Sequence, residues 1–127
     1  DLRRISLKTN MILAGSNSNI KIGGDEVAKL TIDCLKDSVP SEVPGIAFLS
    51  GGQSEIEATE NLNLINKENN TNFIMSYSYG RALQQSALKC WSKNINDIEA
   101  SQKIFNHRAQ MNTLAAQGKW SKELENQ

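Results

Sequence analysis

Between Ile5 and Leu13 the chain reads ISLKTNMIL, with Ile5 and Leu7 on one parity and Ser6, Lys8 and Asn10 on the other. Successive strand side chains point to opposite faces, so this pattern predicts a strand with Lys8 on its polar side. A Gly/Ser/Asn loop, Gly15 to Gly24, follows. From Asp25 onward Val27, Leu30, Thr31, Cys34 and Leu35 recur at helical spacing, and Pro40 closes the run. Pro44 to Ser50 is a short apolar stretch bounded by Pro and Gly-Gly, which reads as a second strand. Ser54-x-x-Glu57 is a capping-box signature for a helix with Ala58, Leu62 and Ile65 on one stripe. Asn72 to Ser78 forms a third strand, ended by Gly80. A helix from Arg81 carries Leu83, Ala87, Leu88 and Trp91. A last one, Asp97 to Ala116, carries Ile98, Ile104, Phe105, Ala109, Met111 and Leu114.

Strand and helix thus alternate three times, which implies parallel strands with helices packed outside. An open doubly wound sheet and part of a (β/α)8 barrel both satisfy this order. A complete barrel takes about 250 residues, so the barrel reading makes residues 1–127 a single incomplete domain.

Composition narrows the class of partner. Lys plus Arg and Asp plus Glu number 14 each, for zero formal charge, which supports neither nucleic-acid nor membrane-surface binding. No apolar run reaches membrane-spanning length, and no secretion signal is visible at the start. Cys34 and Cys90 occupy apolar positions in helical patterns and are expected to be reduced and packed, as in a cytoplasmic protein. The glycosylation sequon at Asn69-Asn70-Thr71 is then expected to be fortuitous.

The polar punctuation falls at the same end of every strand: Lys8, then Ser50-Gly51-Gly52, then Ser78-Tyr79-Gly80-Arg81. Ligands of parallel α/β folds bind at the carboxyl ends of the strands. Glycines let an anion approach bare N–H groups, the helix starts that follow add partial positive charge, and Arg81 adds a bidentate cation. Plain turns and a solvated arginine are the competing reading. Lys8 has two readings as well: a strand-end lysine paired with a carboxylate, or an amine that attacks a carbonyl to form a Schiff base. His107, the one histidine, falls off the apolar stripe of its helix and is expected at the surface. No cysteines or histidines stand at metal spacing, so neither metal nor cofactor is implied.

Four motifs in order make the pattern specific: LKTNM (Leu7–Met11), FLSGGQSE (Phe48–Glu55), SYGRALQQSAL (Ser78–Leu88) and LAAQGK (Leu114–Lys119). Together they resemble class I fructose-bisphosphate aldolase, the metal-free Schiff-base family of glycolysis, over nearly the whole chain. The resemblance implies the C-terminal portion of a (β/α)8 TIM barrel, strands six to eight with their helices. It implies that Lys8 forms the imine with dihydroxyacetone phosphate, and that Ser50, Gly51, Gly52, Ser78, Gly80 and Arg81 hold the ketose phosphate. The reaction implied is reversible cleavage of fructose 1,6-bisphosphate to dihydroxyacetone phosphate and glyceraldehyde 3-phosphate. The family usually works as a homo-oligomer.

Departures from the family pattern accompany the match. Thr9 stands in place of a proline, Arg3-Arg4 in place of an acidic residue and a glycine, and Trp120 in place of a tyrosine. The family's tail and terminal tyrosine are not present after Gln127. The family's aspartate, second lysine and catalytic glutamate belong to strands before the sixth. The chain alone is therefore expected to be inactive and to need the N-terminal part of the barrel. The alternative is a non-catalytic remnant or half-barrel that binds phosphate or docks with a complementary chain.

Overall fold

A computed structural model describes residues 1–127. A 3₁₀ turn (Leu2–Arg4) leads into β1 (Ser6–Thr9), α1 (Gly24–Ser38), β2 (Gly45–Phe48), α2 (Glu55–Glu68) and β3 (Ile74–Tyr77). Then come α3 (Arg81–Lys93), α4 (Ile98–Ala116) and a second 3₁₀ turn (Lys122–Asn126). The strands form one parallel sheet in the order β1-β2-β3, with Lys8 opposite Ala47 and Ala47 opposite Ser76. The α/β alternation read from the sequence is the architecture observed.

The strands are shorter than the apolar runs suggested. After Thr9 the chain leaves the sheet because its next residues have other partners. Met11 turns into the core, and the Ile12 N–H donates to Thr31 Oγ1 on α1 at 2.9 Å. Before β3, the Asn69 amide donates to the Phe73 carbonyl at 2.9 Å, and Asn69 Oδ1 accepts from the Thr71 N–H and hydroxyl. The sequon asparagine is thus the brace of the α2–β3 loop.

One face of the sheet carries Leu7, Ile46, Phe48 and Met75 into a core shared with Val27, Ile32 and Leu35 of α1 and Ala58, Leu62 and Ile65 of α2. Removing such large apolar side chains from water contributes about 1.5–3 kcal/mol each, which explains why α2 packs centrally between α1 and α4. The other face carries Ser6, Lys8, Ala47, Ile74 and Ser76, and no helix covers it; Ile74 is 73% exposed.

The apolar stripes of the last two helices are buried only in part: Met111 is in the core and Leu83 and Leu114 pack against it. On α3 only Ala82 is buried, while Leu88 and Trp91 stand about half exposed; on α4, Ile98 and Phe105 are exposed. The buried side of α4 is Arg108, Met111, Asn112 and Ala115. Both cysteines are free thiols as expected, but neither is in the core: Cys34 is exposed and Cys90 half-buried.

The polar side of α4 builds a buried network. Glu125, in the terminal 3₁₀ turn, accepts two hydrogen bonds from Arg108 (both 2.9 Å) and one from Trp120 Nε1 (2.8 Å). Arg108 also donates to Thr59 Oγ1 at 3.2 Å, and Thr59 bonds Asn112 Oδ1 at 2.7 Å. His107, expected at the surface, is half-buried, with Nε2 at 3.4 Å from Glu125. Sequence periodicity missed this because the partner comes from a turn 18 residues further on.

Burial pushes the Glu125 carboxyl upward, but the hydrogen bonds from Arg108, Trp120 and His107 and the Arg108 charge outweigh it. They hold the group below the usual carboxylate range. A depressed folded-state value stabilises the fold above the unfolded value of about 4.3 and is lost as pH falls through the folded one. Glu125→Ala is expected to cost roughly 3–5 kcal/mol, because Arg108, only 8% exposed, loses its counter-charge. Urea unfolding at pH 7 and at pH 3 checks this: the gap between parent and variant should shrink at the lower pH.

Candidate functional site

The carboxyl ends of the three strands lie side by side. The parallel ladder runs one residue past each neighbouring strand, with the Leu49 N–H donating to Thr9 O (2.9 Å) and the Ser78 N–H to Phe48 O (2.8 Å). Lys8 stands one row further back, on the uncovered face, flanked by Ala47 and then Ser76. It is exposed, and no carboxylate of this chain pairs with it.

Beyond β2 the chain turns through Gly51 and Gly52, at φ +60° and +84°. Side chains rarely adopt that region, and a Cβ at Gly51 would also run into the Asn10 amide. The backbone N–H groups of Ser50, Gly51 and Gly52 have no acceptor within the protein. Successive free N–H groups in a turn form a concave, partly positive surface suited to an anion.

The two helix starts differ, and the capping box read from the sequence is the reason. The start of α2 is occupied: Ser54 Oγ accepts from the Glu57 N–H at 3.2 Å and Glu57 accepts from the Ser54 N–H at 2.9 Å. The start of α3 is open, because Gly80 supplies no side-chain cap. Charge at the helix end is thus available on the Gly80 side alone, while on the β2 side the turn itself must serve. Arg81, the first residue of α3, is exposed and free of any carboxylate.

Two residues inside these motifs that were given no role of their own hold the strand ends in place. Tyr79 is buried and donates its hydroxyl to the Ala58 carbonyl of α2 at 2.9 Å, which anchors the loop carrying Ser78, Gly80 and Arg81. Burial, and secondarily its neighbour Tyr77, pushes the Tyr79 phenol well above its ordinary value, so it stays a donor at any working pH. Glu55, the first residue of α2, accepts from the Ser86 N–H (3.0 Å) and from the Ser86 hydroxyl, tying α2 to α3. Neither the Tyr79–Ala58 bond nor the Glu55–Ser86 pairing had a local signal, since each joins separate elements.

A cleft of about 1020 Å³ runs along the β1 and β2 side of this edge, lined by Asn10, Lys21, Thr31, Gly51, Gly52 and Gln53. Lys8, Ser78, Gly80 and Arg81 do not line it. The site residues thus share one edge without forming a closed pocket.

An α/β domain with an unpaired strand lysine beside two anion-suited strand ends is the class that fold and site define. The family model for class-I fructose-bisphosphate aldolase matches residues 2–127. A non-muscle type fructose-bisphosphate aldolase from Lethenteron camtschaticum is 51% identical over 90% of this chain and 32% of its own length. A fructose-bisphosphate aldolase from Dictyostelium discoideum is 44% identical over 92% of this chain and 33% of its own. The solved Plasmodium falciparum fructose-bisphosphate aldolase, in complex with TRAP and a small-molecule inhibitor, superposes with a TM-score of 0.86 at 41% identity. That match covers 91% of this chain and 33% of the other. The chain belongs to the class I fructose-bisphosphate aldolase family, and it spans about a third of the length of these relatives.

Proposed function

We propose that this chain is the part of a class I aldolase barrel that carries the imine-forming lysine and the phosphate cradle. Its three strands would be strands six to eight of a (β/α)8 barrel, and the uncovered sheet face would be the barrel interior. The observation that carries this reading is the placement of Lys8. An unpaired amine projects from the uncovered face of the sheet, one row behind the free N–H groups after β2 and the uncapped start of α3.

In this reading the substrate's phosphate is held by the N–H groups of Ser50, Gly51 and Gly52, by Ser78 and Gly80, and by the Arg81 guanidinium. Lys8 Nζ adds to the C2 carbonyl of dihydroxyacetone phosphate, and the carbonyl oxygen leaves as water as the imine forms. No metal takes part in this scheme. Family membership supports a phosphorylated sugar as the substrate. The spinach relative is a cytoplasmic isozyme and an Arabidopsis one chloroplastic, so a cytoplasmic setting is the reading's and not the family's. No helix is long and apolar enough to cross a membrane.

The test is borohydride trapping with dihydroxyacetone phosphate, in a barrel completed by strands one to five of the Dictyostelium relative. A reduced adduct is expected on Lys8 by peptide mapping, and a label on any other lysine of this chain refutes the assignment. A second reading, a non-catalytic half-barrel that keeps phosphate affinity or docks with a complementary chain, is favoured by one feature. The uncovered face carries no carboxylate for proton transfer.

A further inference from the structure

The turn proposed to hold phosphate is not shaped by its glycines alone. Gln53, which follows it, spends its whole side-chain amide on fixing that turn. Its Nε2 donates to the Ser50 carbonyl at 2.8 Å, the same oxygen that accepts from the Gln53 N–H at 3.1 Å. The same Nε2 lies 3.5 Å from Met11 Sδ, on the segment that continues β1. Its Oε1 accepts from Asn61 Nδ2 of α2 at 2.7 Å. One amide therefore closes the Ser50–Gly52 turn and ties it both to the exit of the Lys8 strand and to the second helix.

We propose that Gln53 is a positioning residue that pre-sets the Ser50-Gly51-Gly52 turn as an anion cradle in register with the strand of Lys8. The physical case is one of preorganisation. Two φ-positive glycines in a row make the turn flexible in isolation. A cradle that must order itself around its ligand binds more weakly than one already formed. Pointing the Ser50 carbonyl toward Gln53 also turns that negative end away from the anion, which leaves the neighbouring N–H groups as the turn's free face. The Ser50 carbonyl can only accept, so it fixes the nitrogen end of the Gln53 amide toward itself and leaves the oxygen end for Asn61 Nδ2.

The inference rests on the phosphate reading of Ser50, Gly51 and Gly52. It is tested in the barrel completed with strands one to five of the Dictyostelium relative, by titrating inorganic phosphate and following the Gly51, Gly52 and Gly80 amide signals by ¹⁵N NMR. Gln53→Leu keeps the bulk and removes both polar ends; Asn61→Ala removes the outer brace alone. Loss of two neutral hydrogen bonds should raise the half-saturating phosphate concentration about tenfold or more in Gln53→Leu. Asn61→Ala should raise it about threefold, the loss of one such bond. Gln53→Glu supplies a readout that a merely structural residue would not move. As a carboxylate it faces the Ser50 carbonyl and cannot donate; once protonated, below about pH 4.3, its hydroxyl can donate again. Relative to the parent at the same pH, its phosphate affinity should recover between pH 6 and pH 4, whereas that of Gln53→Leu should not.

Equal phosphate binding by parent and Gln53→Leu overturns the role of Gln53 while leaving the anion site standing. Phosphate that moves none of the three glycine signals in the parent overturns the site reading, and the role of Gln53 with it. If Gln53→Leu loses its dispersed spectrum altogether, Asn61→Ala and the pH recovery of Gln53→Glu decide. Absence of both effects overturns the proposal.

Discussion

Purified and assayed alone with fructose 1,6-bisphosphate, the 127-residue chain is expected to show no appreciable aldolase turnover. Lys8 sits on a sheet face whose other residues are Ser6, Gly45, Ala47, Ile74 and Ser76, with no carboxylate among them. General acid–base groups contribute typically about 10²–10⁴-fold, and that whole factor is missing from the face. An amine is freed for attack by a water-excluding wall or a neighbouring cation. This face offers neither: no helix covers it, and its lysine has no charged partner. The outer edges of β1 and β3 are also unpaired, which favours association of the chain over a defined cavity. A coupled assay on material verified by mass checks this. Turnover approaching that of a full-length relative, and abolished by Lys8→Ala, would show that the face is completed in some other way.

In the barrel completed with strands one to five, Arg81→Ala is expected to weaken phosphorylated ligands about 10- to 100-fold. The estimate is that of one or two charge-assisted hydrogen bonds, about 1.5–3 kcal/mol in all. The structure makes a clean loss reasonable, because Arg81 has no internal partner that its removal would strand, and its side chain is exposed. Dihydroxyacetone, which lacks the phosphate, should be trapped on Lys8 nearly as well by the variant as by the parent. The comparison of the two ketones by borohydride trapping separates the roles. Equal losses for both would assign Arg81 to folding or to the imine step.

Much of this arrangement was written locally. The α/β order, the Ser54–Glu57 capping box, the start of α3 at Arg81 and the parity that places Lys8 away from the core all follow from short-range pattern. Such features depend on residues one to four apart, where backbone geometry alone sets which side chains share a face. The motifs at the strand ends were legible for the same reason, since each is a contiguous run at a strand-to-helix turn.

What local pattern could not carry depended on packing between distant segments. Leu88, Trp91, Ile98 and Phe105 belonged to apolar stripes, yet α3 and α4 leave these four exposed, and α4 buries Arg108 and Asn112 beside Met111. A charged residue can lie in the core only where a counter-charge meets it, and Glu125 arrives there from the terminal turn. At the strand ends the Ser54–Glu57 box was legible, but that it leaves Gly80 as the one uncapped helix start beside Lys8 is seen only once the strands are side by side. Gln53 read as one polar residue after two glycines; its role appears only when Ser50, Met11 and Asn61 are brought around it. Periodicity determines which face a residue occupies, whereas the partner waiting at that face is set by how separate elements meet in space.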